Sequence, residues 1–134
     1  MYAFRGGMPE RTTALMMAAA AIATAATPIS PQVSFRHVEP SRFAIDGTLL
    51  IGLIVLSARA NRFWPLWVTA AHLTALTVHG VRAYDASVLP IVYAKLTGWM
   101  AYVMIALLVI GTWRYRRRLA ARGAEPDWSP LVWW

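Results

Sequence analysis

Four long apolar segments, each bounded by arginine, proline or an aromatic residue, are the feature that most constrains how this chain folds. They lie at about residues 12–28, 43–58, 63–81 and 90–113. Of the 134 residues, 58% are hydrophobic and 14% are charged, a composition that soluble domains rarely have. The sequence therefore predicts an all-α integral membrane protein with four transmembrane helices, which form a single domain over residues 1–134.

The segments differ in how well they suit a bilayer. The first is short and rich in alanine, and the small residues near its end would also suit a cleavable signal, although a retained helix is preferred. The second segment would rise about 24 Å at 1.5 Å per residue, which is short of a hydrocarbon core of about 30 Å. Its flanking residues, Arg42 and Arg59, can extend their charges to the interfaces. Pro65 and Pro90 suit the first turn of a helix, where the missing N–H is not needed.

The distribution of lysine and arginine predicts the orientation of the helices. Four spans place the two termini and the link at 59–62 on one side, which collects nine of the 13 basic residues. Because cytoplasmic loops carry the excess of Lys and Arg, we expect both termini in the cytoplasm. The net charge of +7 therefore reflects topology, and no nucleic-acid partner is expected. Seven Trp residues suit aromatic belts at the membrane interfaces.

Ionisable residues within the apolar segments are the main candidates for function. His72 and His79 are seven residues apart, nearly two turns, so they share one face of the third helix. Folding the hairpin of helices two and three brings Asp46 to a depth in the membrane between those of His72 and His79. Lys95 lies near the depth of Asp46 and His79. Because an unpaired charge in hydrocarbon is costly, we predict an interior network of Asp46, His79 and Lys95. The simplest role of this network is a structural clasp that fixes the packing of helices two, three and four. Alternatively, Lys95 extends to the headgroups and Asp46 caps the start of its helix, and then no network forms.

A cofactor is a second interpretation of the two histidines. His72 or His79 would serve as the axial ligand of a haem or bacteriochlorophyll, and the small neighbours Ala71, Ala75 and Gly80 would let a flat ring approach the helix. Two histidines on one face cannot occupy the trans positions of one haem, and no other apolar segment contains a histidine. We therefore expect no cofactor, with haem or bacteriochlorophyll as the alternative.

Other chemistry has little support in the sequence. The chain has no cysteine and no metal-binding spacing such as HExxH, and its serines at the segment ends lack an activating context. No catalytic residue and no metal ligand is therefore predicted. A proton pathway would need ionisable residues in the other half of the bundle, where the second and fourth segments have none.

The C-terminal tail, predicted at 114–134, combines a basic cluster with an aromatic end. Five arginines directly after a span would be attracted to the anionic cytoplasmic leaflet by about 1 kcal/mol each. The final "LVWW" either lies in the interface or binds a groove on a partner. The predicted lipid- or partner-binding residues are Arg114, Arg116, Arg117, Arg118, Arg122, Trp133 and Trp134.

The run "SARANRFWPLWVTAAHLTALTVHGVRAYDASVLPIVYA", together with "GTWRYRRRLAARG", resembles a group of short bacterial inner-membrane proteins of uncharacterised function, mostly alphaproteobacterial. These share an R-A-x-R-F/Y-W-P-L-W hairpin and a G-T-W-R exit from the last helix. The resemblance covers the C-terminal part of the chain, from residue 57. It implies a multi-span helical membrane protein and implies no activity.

These patterns predict a small, non-catalytic accessory or assembly subunit of a larger inner-membrane complex, with an energy-transducing respiratory or photosynthetic complex as the expected host. The chain is small and poor in sites, yet its many small residues allow close contact between helices. The expected partners are the lipid bilayer and other membrane-protein subunits. One alternative is a haem- or chlorophyll-type cofactor-binding protein that uses His72 or His79. A second alternative is a stand-alone lipid-interacting membrane protein.

Overall fold

The computed structural model contains four helices and confirms the prediction of an all-α fold. It describes residues 6–27, 40–84, 90–124 and 126–128. The helices are α1 (Met8–Ala26), α2 (Pro40–Arg59), α3 (Trp64–Tyr84) and α4 (Pro90–Arg122). Trp133 and Trp134, which are predicted to bind lipid or a partner, lie outside the described residues.

The start of α1 and the end of α4 differ most from the predicted helix ends. Helix α1 begins at Met8, before the apolar segment, because Pro9 suits the first turn and the negative Glu10 interacts favourably with the helix dipole there. Helix α4 continues past Trp113 to Arg122, because arginine, leucine and alanine all favour helix even where the apolar pattern has ended. The basic part of the predicted tail is therefore helical.

Gly123 ends α4. Its φ of 73° lies in the left-handed region that glycine adopts without strain, and its N–H donates to the Leu119 carbonyl at 2.9 Å. The turn directs the chain back towards the link between α2 and α3. There Ala60 and Trp128 form an isolated antiparallel bridge, and the Asn61 N–H lies 3.5 Å from the Asp127 carbonyl oxygen.

Successive helices run in alternating directions and pack as a ring. Helix α1 packs against α2 and α4, and α3 packs against the same two helices, with the most extensive contact between α3 and α4. The core lies between the helices and is formed by Leu49, Leu53, Val68 and Met104. Met16, Met17 and Ala20 of α1 pack against it, so the first helix is part of the bundle.

Two helices are long and apolar enough to cross a membrane, judged by length and composition among the described residues. The candidate spans are Ser41–Arg59, with a mean hydropathy of 1.6, and Gly98–Arg122, with 1.2. Helix α1 has Pro9, Glu10 and Arg11 in its first turn, and α3 contains tryptophan, threonine and histidine; these residues lower the mean hydropathy of the two helices. The four predicted helices are present in the described chain, whereas membrane-spanning character is supported only for α2 and α4, as candidates, and four transmembrane helices are not confirmed.

Candidate functional site

A buried ionic cluster lies at the end of the bundle where α1 begins and α2 ends. Arg62, in the α2–α3 link, pairs through Nη1 with Glu10 Oε2, and its Nη2 donates to Asp127 Oδ1 at 2.8 Å. The side chains of Arg62 and Glu10 are 1% and 0% exposed, and that of Asp127 is 27% exposed. One guanidinium thus joins the first turn of α1 to the segment after α4.

Two aromatic residues complete the cluster. Trp64 Nε1–H, from the first turn of α3, donates to Glu10 Oε1 at 3.1 Å, so both carboxylate oxygens of Glu10 have a partner. The Arg62 guanidinium carbon lies 4.3 Å from the ring centroid of Tyr115 in α4, a cation–π distance. The ionic cluster, defined by Glu10, Arg62, Trp64, Tyr115 and Asp127, therefore fixes all four helices at one end.

Gly7 leaves room for the Asp127 carboxylate. A Cβ at Gly7 would collide with Asp127 Oδ1 and would lie 2.9 Å from both Nη atoms of Arg62. We expect Gly7→Ala to displace Asp127 and to lower the free energy of unfolding by about 1 kcal/mol, a reduced value for a partly exposed charged hydrogen bond. Detergent-denaturation curves of Gly7→Ala, Asp127→Asn and the double variant provide the measurement. Because both changes break the same contact, the double variant should lose no more than the larger single loss, and additive losses would contradict the assignment.

The second polar cluster joins α2 to α3 in the other half of the bundle and contains both predicted histidines. His72 is buried, and its Nε2 lies 2.9 Å from the backbone carbonyl oxygen of Asp46. His79 Nε2 lies 3.4 Å from Asp46 Oδ2. The structure thus brings His72, His79 and Asp46 together, with both rings directed at one residue of α2. The Lys95 side chain is exposed, and in the described part of the chain the contact with the Asp46 carboxylate comes from His79 and not from Lys95.

The contact of His72 limits its use as a ligand. A carbonyl oxygen only accepts hydrogen bonds, so His72 Nε2 must carry the proton and donate it to Asp46. A metal centre at this nitrogen would therefore require loss of both the proton and the contact between helices. Among the described residues, no group of three or more His, Cys, Asp or Glu side chains could hold a metal ion. The geometry favours packing over ligation for His72.

We expect His72→Leu to lower the free energy of unfolding by roughly 0.6–1.7 kcal/mol, the range for polar contacts between membrane helices. The loss is moderate because the leucine still fills apolar space. His72→Gln keeps a donor and serves as the matched control, with a smaller loss. The measurement is detergent denaturation, together with an absorption spectrum of the purified wild-type chain. Visible absorption that His72→Leu abolishes would contradict a packing role.

A pair of hydroxyl groups also joins α2 to α3, near the ionic cluster. Ser57 Oγ and Thr69 Oγ1 are 2.7 Å apart, and both lie within hydrogen-bond distance of the Leu53 carbonyl oxygen. Leu53 is fully buried, so these contacts satisfy polar groups at the packed face of α2. The hairpin is thus held by polar contacts on both sides of its apolar centre.

The predicted basic residues lie on different faces of α4. Arg114, Arg118 and Arg122 line an open groove of about 530 Å³ between α4 and the start of α3. Arg117 lies on another face, where its guanidinium carbon is 4.9 Å from the Trp113 ring centroid. Arg116 is exposed and does not line the groove. The basic cluster is therefore divided between a groove and the remaining helix surface.

The sequence did not identify the acidic members of the ionic cluster. Glu10 precedes the first apolar segment, and Asp127 is separated from Arg62 by the whole of α3 and α4. One sequence signal could have pointed to them. The chain has only six acidic residues, so each is a candidate partner for a buried arginine. The contact of Asp127 with Arg62 also depends on the turn at Gly123, which the hydropathy pattern does not indicate.

Comparisons with protein-family models, with curated protein sequences and with solved structures found no match to the chain. The resemblance to short alphaproteobacterial membrane proteins therefore stays a prediction. The function has to be inferred from the geometry of the bundle and its surface.

Proposed function

We propose that this chain is a multi-pass protein of a bacterial inner membrane, with both termini in the cytoplasm, and that it acts as a non-catalytic accessory subunit of a larger membrane complex. The observation that carries the proposal is the exposure of its most apolar helices. Only 17% of the Ser41–Arg59 window and 28% of the Gly98–Arg122 window is buried within the chain. Such helices need lipid or another protein to cover them.

The exposed apolar surface follows the faces of α2 and α4 that point away from the core. In α2, Ile51, Ile54 and Val55 are about half exposed or more, whereas Leu49 and Leu53 are buried. Helix α4 exposes Tyr102, Ile105, Val109 and Ile110 in the same way. A soluble protein of this size would hide such residues, whereas a bilayer or a neighbouring helix accepts them.

The two ends of the bundle differ in charge, which supports the proposed orientation. The end that holds the ionic cluster also carries Arg59 and the basic end of α4. An excess of arginine next to membrane helices is typical of the cytoplasmic side.

The accessory role is supported by the way the polar side chains are used. Arg62 pairs with Glu10 and Asp127, and both histidines contact Asp46, so these groups hold the bundle together. A chain of this kind offers a rigid apolar surface to neighbouring subunits. Close packing between membrane helices of two subunits requires complementary shapes and small residues at the contact.

The experiment is purification of the chain, expressed at its native level with an affinity tag, from native membranes in mild detergent. A native gel, an absorption scan from about 350 to 900 nm and identification of the co-migrating chains follow. We expect one defined set of membrane proteins at constant stoichiometry. Tagging the most abundant of these should recover the present chain in turn.

A matched pair of variants makes this test specific. Ile51→Trp enlarges the exposed face of α2, whereas Gly52→Ala adds one methyl group that faces the flexible end of Met16 in α1. If the exposed face of α2 contacts a neighbouring subunit, Ile51→Trp should weaken co-migration and Gly52→Ala should leave it unchanged. A single species that contains only this chain, in detergent mild enough to preserve known complexes, would refute the accessory role.

A further inference from the structure

The groove between α3 and α4 has two walls of different chemistry. Its apolar part is lined by Trp67, Leu107 and Ile110, and its polar part by Arg114, Arg118 and Arg122. These α4 residues follow one another at intervals of three or four, so one helix face changes from apolar to basic along its length. From Leu107 to Arg122 the helix rises about 22 Å, which is enough to extend from acyl-chain depth into the headgroup layer.

Three arginines of α4 line the basic wall of the groove. Arg62, which also lines it, is paired with Glu10 and Asp127. The planar guanidinium group matches phosphate oxygens in a bidentate geometry, so successive arginines on one helix face suit a phosphate group.

The apolar wall indicates the source of that phosphate. Phe63 and Trp67 at the start of α3 are 82% and 67% exposed. Aromatic rings of this kind are typical of the membrane interface, with acyl chains on one side and headgroups on the other. A soluble phosphate compound would use the arginines and leave the aromatic and aliphatic wall uncovered.

We propose that this groove binds one anionic phospholipid, with its phosphate against Arg114 and Arg118 and an acyl chain along Trp67, Leu107 and Ile110. The proposal rests on the membrane location proposed above but needs no partner complex. It differs from general attraction of a basic helix to an anionic surface, because it assigns the lipid to one face of α4. Arg116 and Arg117 lie outside the groove and carry the same charge.

The test is native mass spectrometry of the full-length, delipidated chain in detergent, titrated with phosphatidylglycerol or with phosphatidylcholine of the same acyl chains. We expect a single phosphatidylglycerol adduct that saturates, with a Kd at least about tenfold lower than that for phosphatidylcholine. Glycerol 1-phosphate, which has the phosphate but no acyl chain, should not compete at the same concentration.

Two double variants that remove equal charge separate the groove from the rest of the helix. Arg114→Gln/Arg118→Gln should raise the Kd for phosphatidylglycerol by about tenfold or more, whereas Arg116→Gln/Arg117→Gln should change it less than about threefold. Glutamine favours helix nearly as well as arginine, and circular dichroism checks that α4 is intact. Arg114→Gln alone, which leaves Arg118 in place, should give an intermediate loss and covers the case in which the first double variant does not fold.

Several outcomes would overturn the lipid site. Equal weakening by the two double variants would show diffuse attraction, and equal affinity for the two lipids would remove the role of charge. Competition by glycerol 1-phosphate at the affinity of the lipid would assign the arginines to a soluble phosphate ester. All of these measurements use the isolated chain, so they stand whether or not a host complex is found.

Discussion

Replacing Arg62 with methionine is expected to lower the free energy of unfolding by about 3–5 kcal/mol, the cost of removing one partner from a buried ion pair. Methionine fills much of the same volume but leaves the fully buried Glu10 carboxylate with the Trp64 N–H as its one remaining partner among the described side chains. It also removes the contact with Asp127 and the cation–π contact with Tyr115. Denaturation in a mild detergent titrated with sodium dodecyl sulfate, followed by tryptophan fluorescence, provides the measurement.

Arg59→Met is the matched control for this change. Arg59 lies three residues earlier, in the last turn of α2, and its side chain is exposed, so the same substitution should cost less than about 1 kcal/mol. Adding Glu10→Gln to Arg62→Met removes the stranded charge and should recover part of the loss. Equal losses for Arg59→Met and Arg62→Met would show that net charge, and not the buried pair, determines the stability.

The second large effect is expected for Gly111→Ala. A Cβ at this buried position would lie 2.8 Å from two atoms of the Trp64 ring, which cannot move without losing the bond to Glu10. Overpacking of this kind costs about 1–3 kcal/mol, more than the gain in helix propensity that alanine brings. The same denaturation experiment measures it.

Two other glycine positions provide the comparison for Gly111. At Gly47 no described atom lies within 4 Å of an added Cβ, so Gly47→Ala should stabilise α2 by about 0.5–1 kcal/mol. At Gly52 the added Cβ would meet only the end of the Met16 side chain, which is flexible, so Gly52→Ala should be close to neutral. A loss at Gly111 no greater than that at Gly52 would refute the close packing of Trp64 against α4.

The helices were predictable because each depends on local information. The proline residues mark helix starts, and long apolar runs set the number of helices. The end of α4 was missed because the prediction relied on hydropathy, whereas helix propensity carries the chain on to Gly123. Hydropathy also grouped α1 and α3 with α2 and α4, although only α2 and α4 are apolar enough to count as candidate spans in the described chain.

The candidate sites were predictable to different degrees. Counting residues from the α2–α3 link was enough to place Asp46 beside His79, because the link is short and fixes the register of the hairpin. Lys95 could not be placed in this way, since residues 85–89 separate α3 from α4 and depth alone does not fix the direction of a side chain. The ionic cluster was beyond sequence reasoning, because it joins residues 52 and 65 positions apart, and the second of these contacts depends on a return of the chain after α4.

The position of Asp127 has a consequence for biosynthesis. Glu10 and Arg62 are made before α4, whereas Asp127 follows it, so Arg62 gains its second carboxylate partner only after all four helices have been translated. Until then the Nη2 group of Arg62 lacks its contact with Asp127. The contacts that join the start of α1 to the segment after α4 are therefore the last of the described contacts to become possible during synthesis.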